Sequence, residues 1–207
     1  MKKIGIISIA ICGLLLVSGT TTYGQSLKDI LKSSTVKDAI TSVTGGSKLT
    51  AENLQGTWTY VNPALQLKGD NALKNIAGSV ASSELEKKLS EYCAKVGIVE
   101  GVFNYTFNSD STFTSQLKGK TLSGTYSVNA EESTVEFHYG KLGKSKLTTM
   151  TANVVLSGDQ LSLLFNADKL LDFLSKLSSV SSNSTLKTIN SLMNQYDGMM
   201  LGFELKK

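Results

Sequence analysis

The sequence predicts a mainly β fold with α insertions: an eight-stranded antiparallel up-and-down barrel with helices over one end. Three observations lead there. Between residues 101 and 166, apolar residues recur with period two in six successive runs joined by turn-rich connections. One more such run precedes them, at 54–61, and one follows, at 199–206. Two stretches of helical period, about 71–97 and 167–196, separate those outer runs from the central six.

The elements follow in chain order. Residues 1–24 have the three parts of a secretory signal peptide. Lys2 and Lys3 supply the positive start, Ile4 to Val17 the apolar run, and Thr22-Tyr23-Gly24 the small-residue cleavage region. Cleavage after Gly24 is expected. The alternative, a membrane anchor, needs ~20 apolar residues, more than this run holds. Lipid attachment at Cys12 is disfavoured by Ile11, which stands where a small residue belongs. Residues 25–50 form an N-terminal helical segment, with Leu27, Ile30, Leu31, Val36, Ala39, Ile40 and Val43 at helical spacing until Gly45-Gly46. The barrel domain spans 51–207.

The first strand carries Trp58 and Tyr60 on one face and Thr57, Thr59 and Val61 on the other. Pro63, the only proline, is placed just after it, where no ladder donor is needed. In the first helical insertion Leu73, Ile76, Ala77 and Val80 make one stripe. Leu85, Leu89, Tyr92, Cys93 and Val96 make another, with Ser82-Ser83 and Glu84 as a restart between them.

Strand faces then run Phe103/Tyr105/Phe107, Phe113/Ser115/Leu117, Leu122/Gly124/Tyr126/Val128, Val135/Phe137/Tyr139, Met150/Ala152/Val154/Leu156 and Leu161/Leu163/Phe165. Asn108 to Ser111, Lys118 to Lys120, Asn129 to Ser133 and Ser157 to Asp159 are turns. Leu170, Leu171, Phe173, Leu174 and Leu177, then Leu186, Ile189, Leu192, Met193 and Tyr196, mark the second helical insertion across a Ser-rich break. Met199, Leu201, Phe203 and Leu205 form the last strand face.

In an up-and-down barrel the connections alternate between two ends. Both helical insertions fall at one end. The tight turns after the second, fourth and sixth strands fall at the other, where the 27–43 segment is the candidate plug.

Charge and composition narrow the function. All 21 basic residues are lysine. Without a guanidinium fork there is no bidentate recognition of phosphate or carboxylate. Loss of the leader leaves 19 lysines against 17 acidic residues, a net charge of +2. That is no field for nucleic acid, and no membrane-spanning segment remains after cleavage. Cys12 departs with the leader, so Cys93 stands alone and cannot form an intramolecular disulfide. On its apolar stripe it reads as a small buried hydrophobe.

Gly56-Thr57-Trp58 on the first strand resembles the Gly-x-Trp signature of lipocalins, in which the Trp packs at the barrel base. With the hairpin segments Phe107 to Phe113 and Gly124-Thr125-Tyr126, the mature chain resembles an uncharacterised lipocalin-like domain family exported by Gram-negative gut anaerobes. The resemblance covers roughly residues 50–206 and implies a periplasmic or outer-membrane-surface protein. Two departures stand out. The Thr-Asp-Tyr signature of lipocalins is absent, and with no Arg in the chain the Trp lacks its usual packing partner.

Candidate chemistry is sparse. His138 is the only histidine and shares a strand face with Thr134 and Glu136. One His and one Cys do not build a zinc site, so no metal or cofactor is expected. Glu84/Glu86 and Glu131/Glu132 sit in a helix start and a turn, where solvated charge is the ordinary role. The inward aromatics Trp58, Tyr60, Phe103, Tyr105, Phe113, Tyr126 and Phe137 are the tentative ligand-binding set, with Phe107 beside them. An eight-stranded barrel either fills its interior with side chains or holds one small ligand. Gly124 and Ala152, also inward, are places where room is expected.

The reading is a non-enzymatic binding protein of the cell envelope with a small hydrophobic ligand. A structural or protein-interaction module with a filled barrel is the alternative. A hydrolase is a third, and it requires convergent carboxylates or a Cys93–His138 contact.

Overall fold

The computed structural model describes residues 49–66, 80–117, 119–142, 145–146, 149–177 and 198–207. The leader, the 27–43 segment, the Leu73/Ile76/Ala77 stripe, the Ser-rich break and the helix expected over 186–196 lie outside the described residues.

The elements are α1 (Ala51–Leu54), β1 (Gly56–Gln66), α2 (Val80–Val96), β2 (Asn104–Phe107), β3 (Thr112–Leu117), β4 (Lys120–Asn129), β5 (Thr134–Tyr139), β6 (Lys141–Leu142), β7 (Ser145–Lys146), β8 (Thr149–Ser157), β9 (Gln160–Asn166), α3 (Ala167–Leu177) and β10 (Met200–Lys206). Eight strands close a barrel in the order β1-β10-β9-β8-β5-β4-β3-β2, each antiparallel to its neighbours. This is the predicted up-and-down topology. β6 and β7 pair with each other as a small hairpin in the β5–β8 connection, at strands too short for a two-residue period to register.

The two ends differ in chemistry. α2 and α3 follow the exits of β1 and β9 at one end. There Phe173 of α3 packs on Tyr139 with the rings tilted by 43° and their centroids 4.7 Å apart. Lys120 Nζ at the start of β4 donates to the Leu177 carbonyl at the C-terminus of α3 (2.7 Å), where cationic charge suits the helix dipole. Tight turns make the other end. They use residues with left-handed backbone, Ser111 (φ 63°), Ser133 (φ 52°) and Gly158 (φ 57°). α1 closes this end. Thr50 caps it, and the Asn53 side chain bonds back to Thr50 N at 2.9 Å. Leu54 at its end is fully buried.

Two local expectations need correction. β1 continues past Pro63 to Gln66 instead of ending before it. β2 pairs with β1 over Gly56–Thr59, so among the described residues no strand pairs with that edge of β1 beyond Tyr60. β10 pairs Pro63 with Phe203 on the other side. A proline is tolerated where the lost N–H faces an unpaired edge. The register slips between Tyr60 and Asn62, which is how the strand bends into the barrel rim. Within the described residues α2 begins at Val80 and runs through Ser82-Ser83, and the stretch before Val80 that bears on a restart there lies outside them.

Gly124, second, leaves no room. A Cβ there would overlap the His138 carbonyl oxygen and lie 2.9 Å from the Phe113 ring. The missing side chain is already occupied by the close approach of β5 and Phe113.

One wall is buried on both faces. Leu161, Leu163 and Phe165 of β9 point inward, and Ser162 and Leu164 between them are also fully buried. Val155 and Met200 on the flanking strands behave alike. The opposite wall is solvated. Thr57, Gln116, Thr121, Ser123, Ser127 and His138 are exposed on β1 to β5.

Candidate functional site

The seven tentative site residues all lie inside the barrel and all are buried. They come from β1, the residue before β2, β2 itself, β3, β4 and β5, and their inward aim follows from the two-residue strand period. The structure divides them by height.

Trp58 and Tyr126 belong to the tight-turn end. Trp58 Nε1 donates to the Leu54 carbonyl of α1 (2.7 Å). Tyr126 OH donates to the Asn108 carbonyl in the β2–β3 turn (2.9 Å). Both aromatic side chains thus have their polar atoms tied to backbone, as buried Trp and Tyr generally do. Lys207 Nζ lies 4.6 Å from the centroid of the Trp58 ring. A lysine cation therefore lies over the Trp58 ring. Closure of β10 against β1 brings it there, together with the Lys207 N–H bond to Asp159 O (3.0 Å).

The middle section is a continuous aromatic layer. Phe137 touches Tyr105, Phe107, Phe113, Tyr139 and Phe165, with ring centroids 5.2–6.0 Å apart. Phe103 and Phe203 meet at 5.1 Å, and each meets Tyr60 at 6.0 Å. Most of these are edge-to-face or tilted contacts, the arrangement favoured by ring quadrupoles. Tyr139 and Phe173 carry the chain of rings up to α3. Sequence reasoning did not single out Tyr139, Phe165, Phe173 or Phe203 as site residues. The first, second and fourth were legible as inward strand positions.

Polar atoms inside this layer are few. The hydroxyls of Tyr105 and Tyr139 bond to each other at 2.7 Å. Burial holds both well above the usual tyrosine range, so both stay protonated and able to donate. The pair owns two O–H hydrogens and uses one between them. Ser115 stands opposite Tyr105 on the inner wall, with Leu122 on its other side. Its Oγ is fully buried with no hydrogen-bond partner.

The Tyr60 hydroxyl also has no well-formed hydrogen bond. Burial first, and then the adjacent Cys93 thiol, push its pKa up. A thiol is only a weak partner. Burial pushes Cys93 itself up to about 12, which makes it an inert thiol and not a nucleophile.

His138 lies on the outer face of β5. Its Nε2 is 2.8 Å from Glu136 Oε1, and its Nδ1 is 3.2 Å from Thr149 Oγ1. Cys93 is buried on α2 beside Tyr60, so the Cys93–His138 contact is not formed. Among the described residues no group of three or more His, Cys, Asp or Glu side chains gathers in a way that could hold a metal ion. Among them, too, no helix is long and apolar enough to cross a membrane.

A family model for a lipocalin-like domain, DUF4923, matches residues 27–207. The chain belongs to this family. The lipocalin-like resemblance carried by Gly56-Thr57-Trp58 is thereby met by a match that includes those residues and runs from 27 to 207. Among solved structures, the DUF4923 domain here is similar to a DUF4847 family protein from Bacteroides vulgatus ATCC 8482. That match has 16% identity, covers 72% of this chain and 91% of that one, and has a TM-score of 0.36. No curated protein matches.

Proposed function

We propose that this DUF4923 domain is a non-enzymatic binding module, exported to the cell envelope, that holds one small apolar molecule at the helix-covered end of its barrel. The observation that carries this reading is the Ser115 hydroxyl, fully buried within an aromatic interior and without a partner. A buried polar group left unpaired costs about 1–3 kcal/mol. Such groups persist where something else completes them. The aromatic layer supplies the apolar contact that a small ligand uses, and α3 over Tyr139 is its cover. The lysine leader of residues 1–24 supports the export part of the reading.

Titration with N-phenyl-1-naphthylamine, a neutral dye that brightens in apolar surroundings, tests it. The expected result is saturable one-to-one binding, displaced by decan-1-ol. Signal that only rises linearly with dye argues for the second reading. In that reading the unbroken ring contacts from Tyr60 to Phe173 fill the barrel, and the domain works through its surface. Those ring contacts are the observation that favours it.

A further inference from the structure

Given that the barrel holds a small molecule, as proposed above, we infer that this molecule is uncharged and carries a carbonyl, ester or hydroxyl oxygen. That oxygen is taken up by the Ser115 hydroxyl and the free hydrogen of the Tyr105–Tyr139 pair. Three observations support this, and none of them concerns the aromatic contacts alone.

First, the polar groups here are donors with hydrogens to spare. Two phenols bonded at 2.7 Å use one hydrogen between them and have the other to offer a further acceptor. Ser115 Oγ has no partner. Ser115 Oγ can donate or accept, whereas the spare phenol hydrogen can only donate, so one acceptor oxygen completes both groups at once.

Second, these groups occupy one region of the wall. Ser115 pairs with Tyr105 across β2–β3, and Tyr139 pairs with Gly124 across β4–β5. Tyr139 also meets Phe113, the inward neighbour of Ser115 on β3, at 5.0 Å.

Third, no charge awaits an anion. The buried polar residues among those described are Gln66, Ser115 and Ser162, with no lysine. Lys120 at the rim is exposed, and its Nζ is bonded to the Leu177 carbonyl. A carboxylate moved into this interior would lose its hydration without gaining a counter-charge, which is costly. A neutral oxygen loses far less.

Isothermal titration of the mature protein at pH 8 with decan-2-one, decan-1-ol and decanoate tests this directly. The three share a ten-carbon chain and differ at the polar end. The ketone and the alcohol are expected to bind at least about tenfold more tightly than the ionised acid. Ser115→Ala should weaken the ketone about three- to tenfold, the loss of one hydrogen bond. It should leave 1,6-diphenylhexatriene, an apolar dye with no hydrogen-bonding group, unchanged. Tyr139→Phe is the second variant, with the same expectation, and circular dichroism confirms that each variant is folded.

Decanoate binding as tightly as the ketone overturns the inference and leaves the binding reading standing. So does a ketone affinity unmoved in both variants. If neither the dye nor any ten-carbon ligand binds, both fall.

Discussion

The hydroxyls of Tyr105 and Tyr139 meet at 2.7 Å inside the barrel, although the residues stand 34 positions apart on β2 and β5. The contact ties two non-neighbouring strands across the lumen. Tyr105→Phe leaves the Tyr139 hydroxyl buried and alone, and is expected to destabilise the fold by about 1–3 kcal/mol. Adding Tyr139→Phe should cost less than the sum of the single changes, because it removes the orphan. Denaturant unfolding of the two single variants and the double variant measures this as a coupling energy. Additive costs would mean that the two hydroxyls do not bond.

Alkaline pH should unfold the domain. A tyrosine or thiol whose pKa is raised in the folded state keeps its proton there while the unfolded chain sheds it. Cys93 ionises from about pH 9.0 in the unfolded chain, and Tyr60, Tyr105 and Tyr139 from about 10.0. Their contribution is therefore complete below pH 9 and is lost as pH climbs past 10. Each group costs about 1.4 kcal/mol per pH unit within that window. Melting temperatures from pH 7 to 11 should be level and then fall steeply. A level profile to pH 11 contradicts the burial of these groups.

Trp58 is the only tryptophan and is fully buried, so its emission should be blue-shifted and should move red in one step with unfolding. Lys207→Ala removes the cation over its ring and should cost only about 0.5–1 kcal/mol. Trp58→Ala opens the barrel base and should cost about 3–5 kcal/mol. Equal effects would mean that Lys207 does more than cover the ring.

Gly124→Ala should destabilise by at least about 1–3 kcal/mol, since its Cβ would overlap the His138 carbonyl. Gly202→Ala should do the same against the Leu163 carbonyl. Gly119→Ala meets nothing within 4 Å and suffers only from its positive φ of 75°, a cost of about 1 kcal/mol. Thermal unfolding of the three variants ranks them.

The barrel order was legible because the period-two runs are long and the turns between them carry Gly, Asn, Asp and Ser. The inward aim of Trp58, Tyr105 and Phe137 followed from the same period. What escaped has physical reasons. Period two assigns faces but not height, so it cannot say that Trp58 and Tyr126 tie the tight-turn end while Tyr139 sits under α3. Lys207 reached Trp58 only through barrel closure, a contact between chain positions 149 residues apart. The run Leu161-Ser162-Leu163-Leu164-Phe165 was read as alternating, whereas a near-continuous apolar run signals burial on both faces. Gly124 read as empty space because its close backbone neighbour, His138 O, is set by strand pairing and not by local sequence. The Ser115 orphan was invisible because satisfaction of a hydroxyl depends on what surrounds it in three dimensions.

The most direct measurement is native mass spectrometry of the protein isolated from its own cells, followed by solvent extraction and mass analysis of the extract. The account predicts one small neutral molecule per chain, bearing at least one oxygen, lost on extraction and depleted in Ser115→Ala. A chain at its bare mass, with an empty extract and no uptake of decan-2-one, would contradict it and leave a filled barrel that acts through its surface.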